Sequence, residues 1–413
     1  MILPPFHRIR RRFESPRLDD VPQAIRAELE ACGVGFQAGS RVAVAVGSRG
    51  IANLSWIVGE TLRWLEEQGV RPFIVPAMGS HGGATPEGQT AVLREYGVSE
   101  EKLGVPVVSS LDVVELPGDD VPIPVFFDKA AFESSGTIVI NRVKPHTSFH
   151  GPHESGLIKM IAVGLGKHRG ALAIHRLGVR GLREVMPRVA LQCLRHANIR
   201  LGIGVVENSK DETMLVRAAP ASSLFEVDQE LLGAARAAMP SLPASRLDLL
   251  IVDEMGKDIS GLGMDTNVIG RLKIPGEPEP ASPQIRLIIV RALTGKTCGN
   301  AAGIGLADIV TRKLYHAIDF PSTYENVLTS TFLERAKIPL IANDDSQALE
   351  FAERAAGMPP LAEAHIIRIK NTLRLEEAWI SESLYQEVGG LSDVAYLGRV
   401  ERVFDAAGQL GEL

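Results

Sequence analysis

This chain has only three cysteines, no apolar run long enough to cross a membrane and no surplus of positive charge, and each shortage excludes a class of protein. Cys32, Cys193 and Cys298 are widely spaced and odd in number, which argues against a disulfide framework and implies a reducing compartment. Arg8, Arg10, Arg11 and Arg12 are followed by no apolar core, so the N-terminus reads as neither a signal peptide nor a membrane anchor. A soluble, cytoplasmic protein is expected. A net charge of -6 argues against a surface built to neutralise nucleic-acid phosphates, leaving small molecules as the expected ligands.

Familiar nucleotide and hydrolase motifs are also missing. Gly164, Gly166 and Gly170 are spaced G-x-G-x-x-x-G, which is not the dinucleotide fingerprint. Gly295-Lys296-Thr297 resembles the end of a phosphate loop, but Val290 occupies the place of its first glycine. No Gly-x-Ser-x-Gly elbow occurs, which disfavours a serine hydrolase of that type.

What is present is globular: 45% hydrophobic and 23% charged residues over 413 positions, more chain than one core usually supports. Short Val/Ile-rich runs alternate with helix-like segments, which predicts an α/β fold of two domains with largely parallel sheets covered by helices. Arg41 to Val46, Pro72 to Ala77, Gly136 to Arg142 and Leu201 to Val206 read as strands, and Ser222 to Ala238 as a helix. The Pro- and Ser-rich stretch from Met239 to Ser245 reads as a linker, giving an N-terminal domain over residues 1–240 and a C-terminal domain over 246–413. In the latter, strands are expected at Leu247 to Val252, Arg286 to Val290, Pro339 to Ala342 and His365 to Ile369, with helices at Leu306 to His316, Thr323 to Ala336 and Ser346 to Ala356. The active site is expected in the cleft between the domains.

Three predicted strand ends deliver chemistry-bearing residues. Arg49 follows the first, His81 in Gly79-Ser80-His81 the second, and Lys144-Pro145-His146 the third. Open α/β sheets bind ligands beyond such carboxyl ends. Six of the ten histidines lie between His146 and His196, the signature of an acid/base or metal site. His146, His150 and His153 are spaced i, i+4, i+7, but Pro145 and Gly151-Pro152 oppose the helix that would align them for zinc.

Taken together, Gly79-Ser80-His81, Lys144-Pro145-His146, Gly156-Leu157-Ile158-Lys159 and His175, sixteen residues after Lys159, resemble the nickel-dependent lactate racemases. The Ser48-Arg49 turn and Lys257-Asp258 fit the same pattern. The resemblance implies a nickel-pincer nucleotide (a pyridinium-3,5-bisthiocarboxylic acid mononucleotide nickel complex) tethered to Lys159, with His175 as the protein's nickel ligand. It further implies that His81 and His146 exchange the hydroxyl proton of a small 2-hydroxy acid while hydride passes to and from the cofactor. Ser48 and Arg49 would bind the cofactor, and Arg49, Lys257, Asp258 and His150 the substrate. Cofactor-maturation proteins are implied partners, and a homo-oligomer is compatible with the pattern.

Departures from the family open the substrate and the second base. Thr147-Ser148-Phe149-His150 replaces the aromatic and Ala-Gly run that usually follows the loop histidine, so His150 competes with His146 for that role. Ser260 to Asn267 replaces the Tyr-Gln pair and following lysine, and Val46 stands where Asp is frequent. The competing readings are a metal-dependent hydrolase or lyase using His146, His150, His153 and Glu154, and a cofactor-binding protein without catalysis.

Overall fold

A computed structural model describes residues 2–47, 50–330, 332–400, 403–405 and 407–413. They fold as two compact units, one of residues 14–239 and one of residues 1–13 with 240–413. The sequence reading placed residues 1–13 with the N-terminal domain; strand pairing assigns them to the other unit. The first strand, β1 (Phe6–Arg11), buries Phe6 and Ile9 while Arg8 and Arg10 face outward. Of the basic run, Arg8 and Arg10 are therefore the exposed face of a strand, while Arg11 pairs with Asp393.

The N-terminal unit contains β2 (Arg41–Val46), β3 (Arg71–Pro76), the antiparallel pair β4 (Val113–Leu116) and β5 (Val125–Asp128), then β6 (Gly136–Arg142), β7 (Ile199–Glu207) and β8 (Thr213–Pro220). Its main sheet runs β3-β2-β6-β7-β8, with β8 alone antiparallel. Five of the six β2 residues are buried, which explains their unbroken apolar run: strands covered on both faces lose the alternation of half-exposed ones.

The helix Leu54–Glu67 covers this sheet with Leu54, Ile57, Val58, Leu62 and Leu65. Each such side chain contributes about 1.5–3 kcal/mol on burial. A later helix, Leu224–Ala238, lies close on β7 because Gly204 has no side chain; a Cβ there would be 2.2 Å from Leu231 Cδ1. Since the chain leaves β2 for β3 on one side and reaches β6 on the other, the sheet order reverses at β2. A crevice is expected at the carboxyl ends there.

The C-terminal unit contains β9 (Arg246–Met255), β10 (Gln284–Leu293), β11 (Ile309–Thr311), β12 (Leu340–Ala342), β13 (Ile366–Asn371), β14 (Arg374–Ser381) and β15 (Val394–Arg399). Its sheet order is β12-β11-β10-β9-β13-β14-β1-β15. The first five strands are parallel and the remaining pairings antiparallel. Two sequence expectations change here. The helix expected from Leu306 begins only at Arg312, because Ile309–Thr311 pairs with β10 as a buried strand. The helix expected over Thr323 to Ala336 is Phe320–Ser330 followed by a 3₁₀ turn, Leu333–Ala336.

Candidate active site

The carboxyl ends of β3, β2 and β6 lie side by side, and the segment after β6 carries most of the histidines. Residues 144–155 form a loop closed at its neck, where the Lys144 N–H donates to Ser155 O at 2.8 Å and the Ser155 N–H returns the bond at 3.3 Å. Inside it sits Glu154, only 1% exposed, whose carboxylate gathers donors from irregular backbone that no ladder could satisfy. Oε2 accepts the His146 N–H at 2.5 Å; Oε1 accepts the Gly151 N–H at 3.1 Å and Arg236 Nη2 at 2.6 Å, and lies 3.3 Å from His150 Nδ1. Burial alone would raise the Glu154 pKa, but the hydrogen bonds from His150, His146, Arg236 and Gly151 outweigh it and hold the carboxyl below its usual range.

A second buried carboxylate fixes the exit of this loop. Asp228 Oδ2 is 2.9 Å from His153 Nδ1, while its Oδ1 accepts the Leu157 N–H at 2.6 Å and the Ile158 N–H at 3.4 Å. Asp228 thereby caps the helical turn Leu157–Lys159 from a distant helix. Gly156 is required at the junction, because a Cβ would stand 2.1 Å from Asp228 Oδ1.

From this cap the chain runs through Leu157–Lys159 into a π-helical turn, Met160–Gly164, and then the helix Lys167–His175. Such turns re-aim side chains and recur at functional sites. Burial first, then the positive charge of Lys159, push the His175 pKa down to about 4, against a smaller upward push from a backbone hydrogen bond at Ala171. His175 is a neutral imidazole at neutral pH. Phe149 links this pair to the loop, with its ring centroid 4.6 Å from that of His146 and 6.0 Å from Lys159 Nζ.

His81, an exposed residue, is carried by the turn after β3. That turn docks on the helical segment: the Gly79 N–H donates to Gly164 O at 3.2 Å, and a Gly79 Cβ would meet Val163 O at 3.2 Å and the Ala171 Cβ at 3.3 Å. Gln89 holds it from the other side, Nε2 donating to Gly79 O at 3.0 Å and His81 O at 3.3 Å. Lys167, fully buried, ties the same pieces together by donating to Pro76 O at 2.6 Å and pairing with Asp128 at 2.7 Å.

His81, His146, His150, Lys159 and His175 all lie in the N-terminal unit, on segments that follow β3 and β6. Ser48 and Arg49 lie outside the described residues. Lys257 and Asp258 belong to the C-terminal unit, beyond the carboxyl end of β9, where Lys257 Nζ donates to Gly261 O at 2.6 Å and Asn326 Oδ1 at 2.8 Å, and Asp258 accepts from Thr294 Oγ1 at 2.5 Å. The hydrolase alternative fares differently. His153 is turned to Asp228 and His150 to Glu154, and among the described residues no group of three or more His, Cys, Asp or Glu side chains is arranged to hold a metal. A cavity of about 670 Å³ beside Asn53 and Trp56, and one of about 770 Å³ beside Arg271 and Lys273, include no residue of the histidine loop.

Asp228, Lys167, Asp128 and Gln89 were missed by sequence reasoning. Asp228 left a signal: it shares the buried stripe of its helix with Leu224, Leu231, Leu232 and Ala235, where a carboxylate has no business without a partner.

No protein-family model matches the sequence, and no curated protein matches it. Among solved structures, the chain is similar to the lactate racemase apoprotein from Thermoanaerobacterium thermosaccharolyticum, with a TM-score of 0.52 and 13% identity, covering 89% of this chain and 94% of that one. The likeness establishes the α/β fold. Among the described residues no helix is long and apolar enough to cross a membrane.

Proposed function

We propose that this protein is an isomerase that racemises or epimerises a small 2-hydroxy acid, using a nickel-pincer nucleotide tethered through Lys159. What supports the reading is the placement of Lys159 on the turn capped by Asp228, with Nζ 6.0 Å from the Phe149 ring that packs on His146, while His175 ends the helix that follows and is kept neutral chiefly by burial. A neutral imidazole is the form that ligates a transition metal. A lysine amine, once deprotonated, is a nucleophile that can be acylated. The residues present therefore fit the group: Lys159 as covalent anchor and His175 as nickel ligand. Bound there, the pincer nucleotide would supply a reversible hydride acceptor.

The remaining work falls to the chain. Inverting a carbinol carbon through a planar keto acid requires proton exchange with the hydroxyl in each of two orientations. His81 and a histidine of the 144–155 loop supply those groups, each contributing about a hundred-fold or more. Phe149, its ring against His146 and 6.0 Å from Lys159 Nζ, would shield that side of the site from water.

The test is peptide-mapped mass spectrometry of protein produced with cofactor-maturation proteins, beside chiral assay of 2-hydroxy acids. An adduct on Lys159 and interconversion of enantiomers are expected. An unmodified chain that racemises at full rate sinks the mechanism. His81→Ala separates enzyme from carrier, since it should retain the adduct and lose turnover.

A further inference from the structure

The sequence leaves two histidines competing for one role, and their hydrogen bonds point in opposite senses. The Ser148 N–H donates to His146 Nδ1 at 3.0 Å. A backbone amide is only a donor, so Nδ1 must offer its lone pair, and a neutral His146 carries its hydrogen on Nε2. His150 is the reverse. Its Nδ1 lies 3.3 Å from Glu154 Oε1, and that carboxylate already accepts from His146 N–H, Gly151 N–H and Arg236, a donor set that keeps it ionised and acceptor-only. The hydrogen of His150 therefore sits on Nδ1, and Nε2 holds the lone pair. Its side chain is 38% exposed, open to a small molecule, whereas Glu154 behind it is sealed.

We infer that His150, oriented by Glu154, is the proton-transfer group of this loop and that His146 is a hydrogen-bond donor to a substrate oxygen through Nε2–H. The inference rests on the racemase reading and divides the labour within it. The hydroxyl O–H bond breaks as the His150 Nε2–H bond forms, and the imidazolium is neutralised by Glu154; once the keto acid has turned, protonated His81 gives its proton to the oxygen of the inverted carbinol, and the reverse reaction runs the two transfers backwards. For His146 to act likewise, its hydrogen would have to move to Nδ1 and confront the Ser148 N–H, donor against donor. Glu154 is a positioning residue: it reaches no substrate, and sets the tautomer of the ring that does.

Two measurements test this on the full chain. The first is ¹⁵N–¹H correlation NMR of histidine-labelled protein, with resonances assigned through His146→Gln and His150→Gln. Expected is a protonated Nε2 at His146 and a protonated Nδ1 at His150, with Glu154→Gln releasing His150 into a tautomer mixture and Glu154→Asp largely restoring it. The opposite tautomer at either ring overturns the inference and leaves the racemase reading standing. The second is the pH–rate profile of cofactor-loaded enzyme. His150→Gln should lower kcat about a hundred-fold or more and remove the acidic limb. His146→Gln, which keeps an amide donor, should cost only about tenfold and keep that limb. Loss of the limb with His146→Gln and its retention with His150→Gln overturns the inference. No turnover of any 2-hydroxy acid by loaded wild type overturns the racemase reading and the inference with it.

Discussion

Both units bury charge, and they do so for different ends. In the C-terminal unit Asp253 on β9, Arg291 on β10 and Arg368 on β13 stand on neighbouring strands; Arg368 pairs with Asp253 through Nε at 2.8 Å and Nη2 at 3.0 Å, and Arg291 bridges Asp253 at 2.8 Å to Asp345 at 2.5 Å. Asp253, Arg291 and Arg368 meet side chain to side chain across regular strands, and Asp345, on the helix Asp345–Glu353, ties them to the Leu410 backbone by accepting its N–H at 2.8 Å. In the N-terminal unit the buried carboxylates of Glu154 and Asp228 accept backbone N–H groups as well as imidazoles. They replace a hydrogen-bond ladder where the chain has none, and hold an irregular loop in one conformation. Buried charge alone thus does not mark a site; what sets Glu154 and Asp228 apart is that they also meet histidine rings, and Glu154 does so in the loop beyond the carboxyl end of a parallel strand.

Substitutions in the two regions should break that comparison in different currencies. The largest effect is expected from Lys159→Met, which should remove the adduct and lower racemase activity by about a thousand-fold or more, with stability changed by no more than about 0.5 kcal/mol, read by mass spectrometry, chiral assay and denaturant midpoint. Arg368→Met should do the converse, costing about 3–5 kcal/mol by leaving Asp253 short of a partner while the Lys159 adduct forms normally.

Glu154→Gln lies between the two. It should cost about 1–3 kcal/mol by weakening donors that converge on the carboxylate. Because the folded pKa of Glu154 is held below its unfolded value, its stabilisation is complete above the ordinary carboxylate range and is lost as pH falls through the depressed value. Acid unfolding of the Gln variant should therefore be shallower than that of wild type.

The smallest effect sharpens the site itself. His175 should titrate at about 4 in the unloaded protein, and Lys159→Met should move that titration up, toward the ordinary imidazole value, by removing a nearby positive charge. A His175 resonance unmoved by Lys159→Met would separate the two side chains. The sign for stability follows: with a folded pKa below the unfolded one, the neutral ring contributes above about 6.5, and that contribution is lost as pH falls toward about 4.

Much of the fold was legible in the chain because its strands are short, buried and rich in β-branched residues. Arg41 to Val46 and Gly136 to Arg142 are strands to the residue, and the helix read from Ser222 begins two residues later, at Leu224. Less legible was whatever depends on distant partners. β11 hides inside a helical pattern because three residues carry too little periodicity to oppose their neighbours. β1 reads as a basic tail until β14 supplies its ladder, from Phe6 opposite Ser381 to Arg10 opposite Glu377.

The site divides along the same line. By itself the sequence determined the α/β class, the strand ends that carry His81 and His146, and the spacing of Lys159 and His175, because local pattern and turn chemistry are written in neighbouring residues. Only the tertiary structure decided that Asp228, some seventy residues on, caps the turn bearing Lys159. It likewise decided that Arg236 completes the cage around Glu154. Those bonds join segments remote in the chain, and a buried carboxylate reveals its purpose only when the groups it neutralises are brought beside it.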